Sequence, residues 1–375
     1  MVNERAKNTS IPSTTRAAVT STALPHGVDK SSMSIRLALF NDRLIETQWG
    51  KDALLTGHGF HGEVKNCPLV KKCTLRIIRQ EDPPEAFRKY HAIVHMAAKE
   101  SGHRLVSLTQ TSDWQSKRLK LRKKQLKLLY AGEGSMVPMD LFKRRYKFDA
   151  MINYRTSSEI FLGHGCAAIN RIASQNKKYD ARSVFRRSGG VAVFISNCSG
   201  ERMKWVKALI DASKAGGVPV DSYGSCYHNV DIPETRNNPN WFEEKINIMR
   251  QYKFSIAFEN AVRDSYVTEK VFMSLEAGTV PLFFGSDAVK EMVPAGSIVY
   301  TNDFRGGPKH LTNYLKTLTS NFSLFAQHFE WSIDGYRNMK IVKQCKWSWQ
   351  CSACGWVANQ LLAKKQLRRG GQAKK

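Results

Sequence analysis

No apolar run in this 375-residue sequence approaches the ~20 residues that span a bilayer. The best candidate, SIRLALF at 34–40, is interrupted by Arg36, so neither a membrane anchor nor a secretory leader is visible. Acidic residues are scarce: 32 Asp and Glu stand against 58 Lys and Arg, a formal charge of +26 that implies an anionic partner. Nucleic acid, an anionic membrane surface and a nucleotide-linked small molecule all satisfy that charge, but no recognisable nucleic-acid-binding motif accompanies it. No two Asp residues are separated by one position, so there is no Asp-x-Asp for a divalent ion. The Cys351-x-x-Cys354 pair has neither a second such pair nor a well-spaced His pair, which makes zinc the weaker reading. Residues 1–33, rich in Ser, Thr, Ala, Asn and Lys, lack an apolar period and read as a disordered arm or stalk.

Two globular domains are expected from 375 residues with 42% apolar composition. The strongest pattern lies at 251–285, QYKFSIAFENAVRDSYVTEKVFMSLEAGTVPLFFG. Runs 254–258 and 280–284 have the length of buried strands, and the helical period between them makes a βαβ crossover. That helix is expected to start at Thr268 with its hydroxyl as cap, to bury Val271, Phe272 and Leu275, and to end at Gly278. Tyr266, Glu269 and Lys270 gather at its N-terminus, where free amides and the helix dipole favour an anion. Lys270 suits phosphate oxygens there and Glu269 suits sugar hydroxyls, although a Glu and a Lys in a first turn are also ordinary surface residues.

The segments FSIAFEN, SYVTEK and LEAGTVPLFFG together resemble the donor-site signature of the α-1,3-fucosyltransferases, glycosyltransferase family 10. The resemblance is strongest over 191–304, and DSYGSCYHN at 221–229 is closest to the plant and invertebrate enzymes of the N-glycan core. It implies an α/β chain of two Rossmann-like domains facing across a cleft, the GT-B type. The expected division is an arm at 1–33, an acceptor-binding domain at 34–180 and a GDP-fucose-binding domain at 181–345. A Cys-containing segment with a basic tail follows at 346–375. By resemblance, Tyr266, Glu269, Lys270 and Asn260 contact GDP-fucose, and Tyr223 and Gly224 approach the nucleotide. Asp221 reads equally as a turn former.

In the first half, strands are expected at 35–40, 73–78 and 126–131, with a helix then a strand over 85–98. The last of those strands runs into Gly132, Glu133 and Gly134, so a carboxylate stands at a strand's carboxyl end, where a catalytic group is expected. LYAGEGS aligns with the family segment carrying the base, and Glu133 is the candidate to take the acceptor's proton. The family's usual Glu-Ser-Pro is not intact here. Segment 148–165 resembles the family stretch that contributes Tyr154, Arg155 and Glu159 between the domains, for which a structural ion pair is an equal account. Seven basic residues in 117–127 suit nucleic acid or acidic lipid, but a solvated helix face is the simpler reading. Residues 170–190, polar and closed by two glycines, read as the interdomain linker.

The second half opens with a strand at 191–195 and a helix buried through Val206, Leu209 and Ile210, then VPVDSYG as a further strand. Arg202 falls in that helix's first turn, aimed at the crevice of Lys270, and its planar fork can grip two phosphate oxygens. Alone it reads as a surface residue; the family places an Arg there on the donor pyrophosphate. With Arg202, Lys270 and helix amides to stabilise departing GDP, no essential metal is expected.

Eight cysteines permit four disulfides, with Cys345, Cys351 and Cys354 the candidates by resemblance and the connectivity open. Asn8, Asn197 and Asn321 begin N-glycosylation sequons, Asn197 within the donor loop. A Golgi lumen and membrane association follow from the family, and the acceptor it implies is an N-glycan or glycoprotein, with no nucleic acid expected. The competing readings are a basic nucleic-acid-binding protein and an inactive GDP-sugar-binding relative.

Overall fold

The computed structural model describes residues 30–41, 62–79, 84–96, 125–132, 143–144, 147–175, 179–232, 240–331 and 333–372. Glu133, Asn8 and residues 117–124 of the basic run lie outside them.

The first sheet is made from β1 (Ser34–Asn41), β2 (Gly62–Glu63), β3 (Lys72–Arg79), β4 (Ala92–Met96), β5 (Leu126–Ala131), β6 (Ala150–Asn153) and β7 (Ile160–Phe161). Its order is β2-β3-β1-β4-β5-β6-β7, parallel throughout except for the β2–β3 pair. The ambiguous segment 85–98 resolves as helix α1 (Pro84–Arg88) followed by β4.

Helices α2 (Cys166–Ser174) and α3 (Ala181–Phe185) lead into the second sheet. It alternates β8 (Gly189–Val193), α4 (Arg202–Lys214), β9 (Val220–Ser222), α5 (Trp241–Met249), β10 (Tyr252–Phe258), α6 (Glu269–Glu276), β11 (Val280–Phe284) and β12 (Val299–Tyr300). All its pairings are parallel, in the order β12-β11-β10-β8-β9. The chain then runs through α7 (Pro308–Ser320), α8 (Phe322–Gln327), α9 (Ile333–Arg337) and α10 (Lys340–Gln344) into α11 (Trp349–Gln372).

Parallel strands must be covered on both faces, which is why these segments read as apolar runs rather than alternating ones. In the second sheet, Val191, Val193, Phe254, Ile256 and Leu282 pack on α4, α7 and α8. From the other face, Ala257 and Phe283 meet α6 and α2, while Ala192 meets α5. In the first sheet, Ala38, Ile78 and Ile93 pack on Phe87 and Tyr90. The opposite face of that sheet, through Ile35, Leu37, Val94, Leu128 and Ile152, is completed by Ala353, Cys354, Val357 and Ala358 of α11. The last helix therefore closes the first core. The basic tail continues that helix to Gln372.

Segment 170–190, expected as the interdomain linker, runs between the two sheets and includes the end of α2 and all of α3. Ala168, Ile169 and Ile172 of α2 are buried against Val271, Phe272 and Leu275 of α6. The polar residues that suggested a linker are spent on buried Glu276: Arg171 forms a two-pronged ion pair with its carboxylate, and the Tyr179 hydroxyl donates to its carbonyl at 2.7 Å.

The disulfides are Cys67–Cys351, Cys73–Cys354, Cys166–Cys345 and Cys198–Cys226, leaving no free cysteine. Cys345, Cys351 and Cys354 pair with none of each other. Three positions apart on a helix, Cys351 and Cys354 share the face of α11 that rests on the first sheet, so each takes a cysteine of that side.

Candidate active site

From β8 the second sheet grows in both directions, to β9 on one side and β10 on the other. At such a switch point the loops leaving the two central strands turn to opposite faces and open a crevice beyond their carboxyl ends. A cavity of about 700 Å³ occupies that place. Of the residues expected to hold a donor, Arg202, Tyr223, Gly224, Asn260 and Lys270 line it. Tyr266 and Glu269 do not. Tyr266 is buried against Tyr154, with ring centroids 5.1 Å apart, and the Glu269 carboxylate lies 3.5 Å from the Lys270 ammonium.

Arg202, the first residue of α4, is only 3% exposed and straps the two central strands together. Its Nη2 donates to the Asn197 carbonyl at 2.7 Å, and its Nη1 to the Phe258 carbonyl at 3.3 Å and to the Asn260 side chain. The Nε is buried without a partner among the described residues. Burial draws the guanidinium below its usual range, opposed by Glu259 and Tyr266. That unpartnered Nε belongs to a residue that faces the cavity.

Lys270 is less free than the sequence implied. Glu259, fully buried at the end of β10, accepts from the Thr268 amide at 2.7 Å, from the Thr268 hydroxyl at 2.8 Å and from Lys270 Nζ at 2.9 Å. Burial pushes the Glu259 carboxyl above its ordinary range, while Lys270 and the Thr268 amide pull it back. Burial would likewise lower Lys270, but Glu259 and Glu269 prevail and hold the ammonium above its ordinary range. Thr268 occupies the N-cap position of α6, yet its side chain makes no cap bond. Its hydroxyl has been claimed by Glu259, correcting the expected cap. The helix still ends as its sequence indicates, with Gly278 at φ +64°. Glu269 stays below its usual range because Lys270, Lys245 and its own amide outweigh its burial.

The remaining wall was missed by the motifs. Phe194, just after β8, stacks on Tyr223 at 5.0 Å and meets Trp241 edge-on at 6.4 Å. Lys245 of α5 places its ammonium 5.1 Å over the Phe194 ring. Both ring nitrogens of His228 face acceptors, the Gly224 carbonyl at 3.2 Å and Asp231 at 2.9 Å, an arrangement that favours the imidazolium and raises its pKa. Gly224 has no alternative here, since a Cβ would lie 2.1 Å from the Ile195 carbonyl oxygen. Asp221 is no turn residue: it lies in β9 and accepts from the Tyr252 hydroxyl at 2.6 Å. The Cys198–Cys226 disulfide ties the loop after β8 to the loop after β9.

Towards the first sheet, Tyr154 and Arg155 do face the second half, Arg155 with its Nη2 3.6 Å from Asp264. Glu159 turns away, ion-paired with Lys143 and accepting the Met151 amide at 3.0 Å, which is the structural account of that residue. His164 contacts the Gly132 carbonyl at the end of β5 and lies with its ring 6.5 Å from that of Tyr266. Glu133 follows Gly132 in sequence but is outside the described residues. Among the described residues, no three His, Cys, Asp or Glu side chains cluster to hold a metal ion, and no helix is long and apolar enough to cross a membrane.

Residues 184–369 match the model of the glycosyltransferase family 10 (fucosyltransferase) C-terminal domain. The second half of this chain is a glycosyltransferase family 10 domain. It is 34% identical over 167 residues to GDP-fucose protein O-fucosyltransferase 3 of Xenopus laevis, a match covering 40% of this chain and 36% of the relative. Alpha-(1,3)-fucosyltransferase B of Drosophila melanogaster is 35% identical over 156 residues, covering 39% of this chain and 34% of the relative. The alignments thus span about a third of the length of these curated relatives. In fold, a crystal structure of an α1,3-fucosyltransferase matches with a TM-score of 0.54 at 17% identity, covering 90% of this chain and 93% of that one. The two parallel sheets therefore form the two-Rossmann GT-B arrangement of the family 10 enzymes.

Proposed function

We propose that the protein transfers L-fucose from GDP-fucose to an acceptor hydroxyl with inversion at the anomeric carbon. The observation that carries this reading is the meeting of Arg202, Asn260 and Lys270 in the switch-point cavity of a family 10 domain. Arg202 and Lys270 stabilise the charge that grows on departing GDP, more in the transition state than in the ground state. Tyr223 and Gly224 lie against the nucleotide, while Tyr266 and Glu269, which the family resemblance assigns to the donor, act from behind the cavity wall, Glu269 through its ion pair with Lys270. Glu133 takes the acceptor's proton as its oxygen attacks from the face opposite GDP.

The acceptor suggested by the sequence resemblance is N-acetylglucosamine of the N-glycan core, fucosylated in α-1,3 linkage. Relatives named GDP-fucose protein O-fucosyltransferase 3 favour a second reading, in which the hydroxyl belongs to the acceptor protein itself. Four disulfides support an oxidising lumenal compartment, and the Golgi with membrane association is the proposed location.

The test is incubation of purified protein with GDP-fucose, in EDTA, with glycan-bearing glycoproteins and their enzymatically deglycosylated forms, read by mass spectrometry. Fucose on the glycan supports the first acceptor and fucose on a peptide the second; no product with either overturns both. Glu133→Gln is expected to abolish transfer while GDP-fucose affinity stays within about twofold. Turnover close to wild type would remove Glu133 from the mechanism.

A further inference from the structure

The donor motifs assign two cations to the cavity, and both are already engaged. Lys270 lies 2.9 Å from Glu259, 2.6 Å from the Thr268 hydroxyl and 3.5 Å from Glu269. Arg202 spends both terminal nitrogens on Asn197, Phe258 and Asn260. A diphosphate entering this space meets a lysine already paired with carboxylates and an arginine whose terminal nitrogens are already hydrogen-bonded. Lys245 is different. It lines the same cavity from α5, outside every motif that marked the site, and among the described residues its ammonium makes no hydrogen bond or ion pair. Its contact is the face of Phe194, itself fixed between Tyr223 and Trp241.

We propose that Lys245 is the third cation of the donor site, holding the donor's diphosphate. The proposal rests on the donor-site reading above. In the free protein, enclosure pulls the ammonium down to about 8; Glu269 opposes this, Lys270 adds to it and Glu259 opposes it. Across the cavity stand Arg202 on α4 and the His228–Asp231 pair after β9. A diphosphate brings fresh negative charge beside Lys245, favours the ammonium, and draws from solvent the fraction of a proton that the free lysine lacks at the working pH. The ammonium is thus the majority form below about pH 8 already, and the ligand completes its protonation at and above that pH.

The sign follows. Tight GDP binding requires the charged lysine, so GDP affinity falls as pH rises through about 8. Calorimetry of GDP and of guanosine from pH 7.5 to 9.5, in buffers of different ionisation enthalpy, tests this on the wild type, Lys245→Met and Lys245→Arg. Wild-type protein is expected to take up part of a proton with GDP and none with guanosine. Lys245→Met is expected to weaken GDP about tenfold or more, to leave guanosine unchanged, and to lose the proton uptake. Lys245→Arg, whose charge does not titrate in this range, is expected to keep GDP affinity and flatten its pH dependence. GDP bound by Lys245→Met as tightly as by wild type at pH 7.5 overturns the role of Lys245. Proton uptake persisting in that variant overturns it too, by assigning the proton to His228. Failure of the wild type to bind either GDP or guanosine overturns the underlying donor-site reading, and so is told apart from both.

Discussion

At the scale of the residue, the site is governed by one buried ion pair. Glu259 is fully covered and has Lys270 and Thr268 as its donors, so removing the lysine strands a carboxylate without its cation. Lys270→Ala is therefore expected to cost about 3–5 kcal/mol of stability in addition to GDP affinity. Adding Glu259→Gln should restore most of the thermal stability without restoring GDP binding, and a double-mutant cycle by thermal unfolding and calorimetry separates the two effects. Full donor affinity in Lys270→Ala would refute a phosphate role. The pH dependence has a definite sign as well. Because the folded protein holds the Lys270 ammonium above its ordinary range, its contribution to stability is complete below the ordinary lysine range. That contribution fades only as pH rises through the elevated value.

At the scale of the element, the cavity depends on two loops that the sheet alone does not hold. The loop after β8 carries Ser196 and Asn197, the loop after β9 carries Gly224 and His228, and Cys198–Cys226 joins them. Replacing both cysteines by alanine is expected to lower stability by about 3.6 kcal/mol for a closed loop of this length, and to weaken GDP binding by loosening both walls. Gly224→Ala should harm binding more than folding, since its Cβ cannot coexist with the Ile195 carbonyl unless the loop moves off the strand. Calorimetry beside thermal unfolding distinguishes the two variants. Asn321 illustrates a compatible double use: its side-chain oxygen accepts the Leu324 amide as the N-cap of α8, while the side chain remains exposed. A glycan on the amide nitrogen leaves that cap intact. Expression through a secretory route should give a glycosidase-sensitive mass shift that Asn321→Asp, which keeps the cap, removes or reduces.

At the scale of the whole molecule, the chain closes on itself. Helix α11 follows the second sheet in sequence but finishes the core of the first, and two disulfides bind it to cysteines more than 280 positions away. Cys166–Cys345 adds a third long closure. Ending the chain before Trp349 is expected to uncover Leu37, Val94 and Leu128 and to leave Cys67 and Cys73 without partners. The truncated protein should be insoluble or protease-sensitive, even though it keeps every residue proposed to touch the donor. A soluble truncated protein with native GDP affinity would show the second half to be self-sufficient.

Much of this architecture was legible in residue order. The strands at 254–258 and 280–284, the helix ended by Gly278, and the placement of Arg202 and Lys270 at helix starts follow from local periodicity and turn chemistry, which act over a few positions. The pairing of polar groups was not legible. Thr268 has the chemistry of a cap and serves Glu259 instead; Arg171 and Tyr179 have the look of a linker and serve Glu276. Lys245 carried no motif, because what distinguishes it is an enclosed position over Phe194 rather than any neighbour in sequence. The amino-acid order by itself determined the elements, the parallel sheets and the two cations of the donor motifs. Only the tertiary structure decided which cysteines pair, which carboxylates answer those cations and which lysine is left over. Burial removes water as a partner, and each buried charge must then be satisfied by whatever the fold brings within reach.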